Sequence, residues 1–217
     1  MAFSSDVARA VAAAESGLCP PGWVGAVLID GAVLVTAPSQ ESAQRVSSAL
    51  ETIDVEDVTD PDVVSAVLPV ADILGPAWLS YLDPVGPQPP RPGGPVQHLP
   101  ADHPDLLQLE GAVSAAELRE SGLPAVTSDA FVVYEHDLII SAAGYQHWSH
   151  QVAHVSVLTV ASARGRGLAA TVAGAAVADA ASRGPLPQWR ARPSASRKVG
   201  AHLGFQQLGR QLSIRLH

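Results

Sequence analysis

A chain of 217 residues with 47% hydrophobic and 16% charged side chains can bury a sizeable core, which excludes a disordered polymer. One cysteine, Cys19, excludes an internal disulfide and a multi-cysteine zinc site, and fits a reducing cytoplasm. The net charge of −8 hides a division that argues against a general nucleic-acid surface: residues 1–137 carry −16 and residues 138–217 carry +8, with Asp179 as the last acid.

"MAFSSDVARAVAAAESG" lacks the basic flank and apolar core of a signal peptide, and no apolar run approaches the roughly 20 residues of a membrane helix. A soluble protein is therefore expected. Residues 4–16 read as a short helix. Two apolar runs flank Asp30-Gly31, a pair suited to a two-residue hairpin because both positions accept positive φ. Residues 39–53 read as a helix capped by Ser39, with Ala43, Val46 and Leu50 on one face. The stretch "DPDVVSAVLPVADILGPAWLSYLD" reads as two helical pieces broken at Pro69 and Pro76. Nine of the thirteen residues in 83–95 are Pro or Gly, so a linker is placed there, between an N-terminal α/β extension (1–82) and a C-terminal domain (96–217).

Past the linker, the predicted order is β-α-α-β-β-β-α-β-α-β. A strand "VQHLP" comes first, then two short helices, the second opened by Ser114 and its capping partner Glu117. Two strands meet near His136-Asp137, and "QVAHVSVLTV" is the next. A helix over 165–183 stops at Gly184-Pro185. "PQWRA", a helix ending at Gly204 and one or two final strands complete a mixed α/β sheet.

Arg164-Gly165-Arg166-Gly167 stands where the central strand hands over to the long helix. The first turn of a helix leaves N–H groups without internal acceptors, and glycines admit close approach, so this turn suits phosphate oxygens with Arg164 and Arg166 beside them. A Walker A loop needs Lys-Ser/Thr after its last glycine, but Leu168-Ala169 follows here. A dinucleotide fingerprint needs an early strand–helix unit and a downstream acid, and both are missing. Arg164-Gly165-Arg166-Gly167-Leu168-Ala169 instead resembles the Gln/Arg-x-x-Gly-x-Gly/Ala signature of the GNAT superfamily of acyl-CoA N-acyltransferases. "ASRKVGAHLGF" (195–205) is similar to that family's later helix ending in Leu-Gly-Phe.

The resemblance, covering roughly 95–217, implies a GNAT fold, acetyl-CoA as cosubstrate, no metal and an amine acceptor. It implies that backbone groups of Leu158, Thr159 and Val160 pair with the pantetheine arm. The amides of Arg164, Gly165, Arg166, Gly167, Leu168, Ala169 and Ala170 would hold the pyrophosphate. Family members often place a glutamate early on the fourth strand as base; no Glu follows Leu138 here, and His154 stands at the matching position. His147 and His150 are further candidates. The tyrosine that protonates the leaving thiolate in many members corresponds to Gly200, which leaves Ser196, Tyr134 and Tyr145 to consider. Trp189 with Arg190 and Arg192 reads either as a ligand-stacking group or as a core plug beside solvated arginines.

The leading function is an N-acetyltransferase acting on a primary amine, which the acidic N-terminal part suggests is cationic. A non-catalytic CoA-binding sensor of the same fold is the alternative, and an interaction role for residues 1–94 a third. No nucleic acid or membrane is expected as partner, and a homo-oligomer is left open.

Overall fold

The computed structural model describes residues 9–83, 95–148 and 151–217, which form two compact units. The first comprises residues up to Leu79 together with Leu208–His217; the second is Ser80–Gln207. Both borders fall inside strands, and the last ten residues group with the N-terminal unit. Residues 84–94 of the expected linker lie outside the described residues.

In the first unit, β1 (Ala10–Ala12), β2 (Val24–Ile29) and β3 (Ala32–Ala37) precede helices α1 (Gln40–Leu50) and α2 (Pro61–Val67). β4 (Val70–Leu82) follows and carries the chain out of the unit; the end of β10 (Phe205–Leu216) brings it back. The strand order here is β1-β3-β2-β10-β4. Asp30 and Gly31, at φ 49° and 74°, make the expected hairpin turn. Ser39 caps α1 on the Ser42 amide, and Ala43, Val46 and Leu50 enter a core with Val24, Val35 and Leu212. Cys19 donates to the Trp23 carbonyl at 3.2 Å, and burial pushes its thiol pKa up, as for an inert thiol.

Two sequence expectations fail in this unit. Ala10–Ala12, expected within a helix, pairs parallel with Val35–Ala37, and the Ala13 amide continues that edge onto the Ala37 carbonyl at 2.8 Å. An open strand edge offers these amides partners along their whole length, which outweighs a small helical preference. Residues 4–8 lie outside the described residues. Val70–Leu82, expected as helix after Pro69, is a thirteen-residue strand with a cis Gly75–Pro76 peptide. Ala77 and Leu79, two residues apart, are buried on one strand face, and Leu82 is buried on the other.

The second unit follows the predicted order. It contains β5 (Gln97–Leu99), α3 (Pro104–Gly111), α4 (Ala115–Ser121), β6 (Ala130–Glu135), β7 (Leu138–Trp148), β8 (Val152–Thr159), α5 (Leu168–Arg183), β9 (Leu186–Ala191), α6 (Ser194–His202) and the start of β10. The strands lie in the order β4-β9-β8-β7-β6-β5; β5–β6, β6–β7 and β7–β8 pair antiparallel, and β8–β9 pairs parallel. Ser114 and Glu117 form the expected capping box on α4. The helix predicted from 165 begins at Leu168, because Gly165 and Gly167 hold φ 76° and 78°, outside the helical region. Small residues let α5 lie close on the sheet. Val172, Ala173, Ala176 and Val177 pack against Tyr145, Ala153 and Trp189 in the main core. Leu106, Leu109 and Leu123 cover the other face over Ala130, Ala142 and Leu158.

Candidate functional site

β8 and β9 pair only at Val152–His154 with Leu186–Gln188, although β8 runs on to Thr159 and β9 to Ala191. Two parallel neighbours therefore part company in mid-sheet. Their exposed inner edges carry backbone groups with a fixed phase. Val160 donates to the Ile140 carbonyl at 3.0 Å, so even-numbered residues of β8 exchange hydrogen bonds with β7. Leu158 and Val160 are thus engaged with β7. Thr159 turns to the gap, and with it Val157, which sequence reasoning missed. Only the ladder phase, set by pairing with β7, reveals it. Arg164 Nε donates to the Thr159 carbonyl at 3.2 Å.

Beyond β8 a single 3₁₀ turn (161–163) leads to the glycine-rich segment. The Arg164 amide donates to the Ala161 carbonyl at 3.3 Å, which removes it from the predicted set. The first bond of α5 runs from the Thr171 amide to the Gly167 carbonyl at 3.1 Å. Between them, the amides of Gly165, Arg166, Gly167, Leu168, Ala169 and Ala170 have no acceptor among the described residues, and no side chain caps the helix. Positive φ at Gly165 and Gly167, beside neighbours of negative φ, is the backbone pattern that lets consecutive N–H groups converge on an anion. A Cβ at either glycine would meet nothing within 4 Å, so the space beyond them is open.

The two arginines do not stand free. Arg164 pairs with Glu117 of α4 at 2.5 Å, and Arg166 with both carboxylate oxygens of Glu135 on β6, at 2.7 and 3.3 Å. Hydrogen bonds from Ser114, then Arg164, hold the Glu117 carboxyl down at about 2. These pairs are exposed, where an ion pair adds little stability and exchanges easily for another anion. On the same helix, Glu120 pairs with Arg192, just past β9. α4 therefore spans the mouth where β8 and β9 separate, tied to the end of each.

His154 lies at the last paired position of β8. Its Nδ1 is 3.2 Å from Gln188 Oε1, and its ring stacks on Trp148 at 4.5 Å between centroids with planes 18° apart. Gln188 Nε2 donates to Tyr81 Oη at 2.7 Å, which orients the amide and leaves its oxygen facing the histidine. Nδ1 is then the protonated nitrogen and Nε2 keeps its lone pair. Burial, followed by the charge of Arg190, pushes the imidazole down to about 4, against the opposing bond from Gln188. It is a neutral base at physiological pH.

The lowered value has a stability consequence with a definite sign. Between the ordinary histidine pKa near ~6.5 and about 4, the unfolded chain binds a proton at this position and the folded one does not. Stability is therefore lost as pH falls through that window. Melting curves recorded from pH 7 to 4 should decline more steeply for the parent than for His154→Gln; parallel curves would show that the imidazole titrates normally.

The other acid and base candidates separate cleanly. His147 meets Tyr145 edge-on at 5.1 Å, and His150 lies outside the described residues. Tyr145 donates to Asp179 and Tyr134 to Asp105, each at 2.7 Å, and burial with those carboxylates raises both phenols to about 12. Neither has a proton to spare. Trp189 is 3% exposed and fills the core between sheet and α6, its Nε1 donating to the Ser196 carbonyl at 3.1 Å. This is the plug reading, and it explains Gly200. A Cβ there would sit 2.9–3.1 Å from the indole ring. Ser196 is half-buried on the first turn of α6, and what the structure gives it is the backbone bond to Trp189. Among the described residues no three His, Cys, Asp or Glu side chains gather as a metal-binding group, and no helix is long and apolar enough to cross a membrane.

The site therefore combines a parallel strand pair that splays with a run of unpartnered amides at the head of a long helix. The GNAT acetyltransferase family model matches residues 130–210. Similar solved structures include a GNAT-family acetyltransferase from Novosphingobium aromaticivorans, at 23% identity and TM-score 0.52, covering 67% of this chain and 65% of that one. A GCN5-related N-acetyltransferase from Kribbella flavida has 16% identity and TM-score 0.53, with 70% and 62% covered. A GCN5-related N-acetyltransferase-like protein from Streptococcus suis has 13% identity and TM-score 0.53, with 89% and 84% covered. The chain spans less than two thirds of the length of the first two, and these likenesses carry the fold alone. No curated protein matches the chain.

Proposed function

We propose that the protein is an acetyltransferase of the reducing cytoplasm that moves an acetyl group from acetyl-CoA to a primary amine. The observation that carries this reading is the run of six amides, Gly165 to Ala170, left without acceptors at the uncapped head of α5. Two phosphoryl groups fit that chemistry, since N–H donors and the helix dipole act together there. Val157 and Thr159 would hold the pantetheine arm along the open edge of β8, and acetyl-CoA would supply the activated acyl group. Arg164 and Arg166 would exchange Glu117 and Glu135 for phosphate oxygens.

In the transfer, the amine nitrogen bonds to the acetyl carbon, the carbon–sulfur bond breaks, and a proton leaves the nitrogen as the thiolate departs. His154 Nε2 would accept that proton. A base near 4 is too weak to strip a free ammonium ion, so it acts on the nitrogen only once bonding has made its N–H acidic. The amine must arrive neutral. The enzyme's own limb in kcat/KM should accordingly fall as pH drops through about 4, with none near 6.5 that His154→Ala removes. A limb at 6.5 lost in that variant would overturn the assignment.

A CoA-binding module without turnover is the second reading, favoured by the indole that fills the space beside Gly200. Release of free CoA thiol from acetyl-CoA with a panel of amines separates the two. Turnover supports the enzyme, binding without turnover supports the module, and no binding at millimolar CoA removes both.

A further inference from the structure

Arg190 is a half-buried cation that the acetyl-transfer reading does not use. It lies on β9 two residues past Gln188, about 6.6 Å further along the strand, on the same sheet face by alternation. That face holds the His154–Gln188–Tyr81 chain and the Trp148 ring. The opposite face sends Trp189 and Ala191 into the core under α5. Because the β8–β9 ladder ends at Gln188, Arg190 stands at the open gap between the strands, beside the proton acceptor rather than beside the helix head.

Its surroundings leave the charge unmet. The other arginines of this unit near the gap each have a carboxylate: Arg164 has Glu117, Arg166 has Glu135 and Arg192 has Glu120. Among the described residues no carboxylate lies within ion-pair distance of Arg190. Glu120, whose charge reaches it, is already bound to Arg192. Burial and then the charge of Arg192 push the guanidinium below its ordinary value, as expected of a partly desolvated cation without a counter-ion. Such a group in a structural role is ordinarily paired, because a lone desolvated charge is expensive to fold around. Here the carboxylate whose charge reaches it, Glu120, is engaged with Arg192, and the planar fork of a guanidinium matches a carboxylate in two hydrogen bonds.

We propose that Arg190 binds a carboxylate of the acceptor, so that the substrate is an amino carboxylic acid whose amine is presented to His154. This rests on the acetyl-transfer reading. It also refines the cationic acceptor expected from bulk charge: the amine end carries that charge, and the other end is an anion.

The test compares acids with their carboxamides as acceptors: glycine with glycinamide, phenylalanine with phenylalaninamide, 4-aminobutyrate with its amide. Thiol release from acetyl-CoA is followed at one pH, and each rate is expressed per concentration of neutral amine, because an acid's amine is more basic than its amide's. At least one acid should exceed its amide by about 10- to 100-fold in kcat/KM, the range of a hydrogen bond to a charged group. Arg190→Gln should collapse that ratio mainly through KM, and Arg190→Lys should restore part of it. CoA affinity by calorimetry reports whether a variant is folded; should Arg190→Gln fail to fold, the parent ratio and Arg190→Lys still decide. Turnover with acids and amides alike overturns the role of Arg190 and leaves acetyl transfer standing. No turnover with any amine overturns both.

Discussion

Gly167→Val should abolish measurable acetyl-CoA binding and leave a folded but weakened protein. Gly167 caps α5 at φ 78° and ψ 0°, and a β-branched residue in that region costs about 1–3 kcal/mol. The space beyond it is open, so the protein itself offers no clash. What the isopropyl group blocks is the approach to the amides of Leu168, Ala169 and Ala170. Loss of even two hydrogen bonds to a charged phosphate, each worth about 1.5–3 kcal/mol, lowers affinity about 100-fold or more. Calorimetry with CoA measures it, and Gly167→Ala, with less bulk over the amides, should lie between the two. Unaltered affinity in Gly167→Val would place the pyrophosphate elsewhere and remove the basis of the proposed function.

The second large effect is expected at Gly200, the position that the resemblance matches to a tyrosine in many GNAT members. A glycine inside a helix ordinarily gains about 0.5–1 kcal/mol on replacement by alanine. Here a Cβ would stand 2.9 Å from Trp189 Cδ1 and 3.0 Å from Cγ, and the indole is held in place by its bond to the Ser196 carbonyl. Overpacking of a filled core costs about 1–3 kcal/mol, so the steric effect outweighs the helical gain. Gly200→Ala should lower the melting temperature by several degrees, and Gly200→Tyr should largely unfold the domain instead of adding an acid. Pairing Gly200→Ala with Trp189→Leu should recover part of the loss, a coupling that chemical denaturation of the four variants measures. Additive effects would mean the indole moves aside freely. A CoA thiol, with an ordinary thiol pKa near ~8.5, leaves adequately without a dedicated acid.

The sequence by itself determined the order of elements from Gln97 onward, the Asp30-Gly31 hairpin, the caps at Ser39 and Ser114, and the glycine-rich turn before α5. Each depends on residues within a few positions of one another, where φ preference, a capping oxygen or a periodic apolar face acts without help from the rest of the chain. Tertiary structure decided the remainder. Ala10–Ala12 became a strand because β3 offered an edge, and Val70–Leu82 because its neighbours are strands, although neither segment carries a strong strand pattern. The same holds at the site. That Val157 and not Leu158 faces the gap depends on the phase of pairing with β7, and that Trp189 fills the space beside Gly200 depends on how α6 lies on β9. The proton affinity of His154 follows from burial and from Arg190, thirty-six positions away. Local chemistry is written along the chain, whereas edges, burial and charge neighbours exist only once distant segments meet.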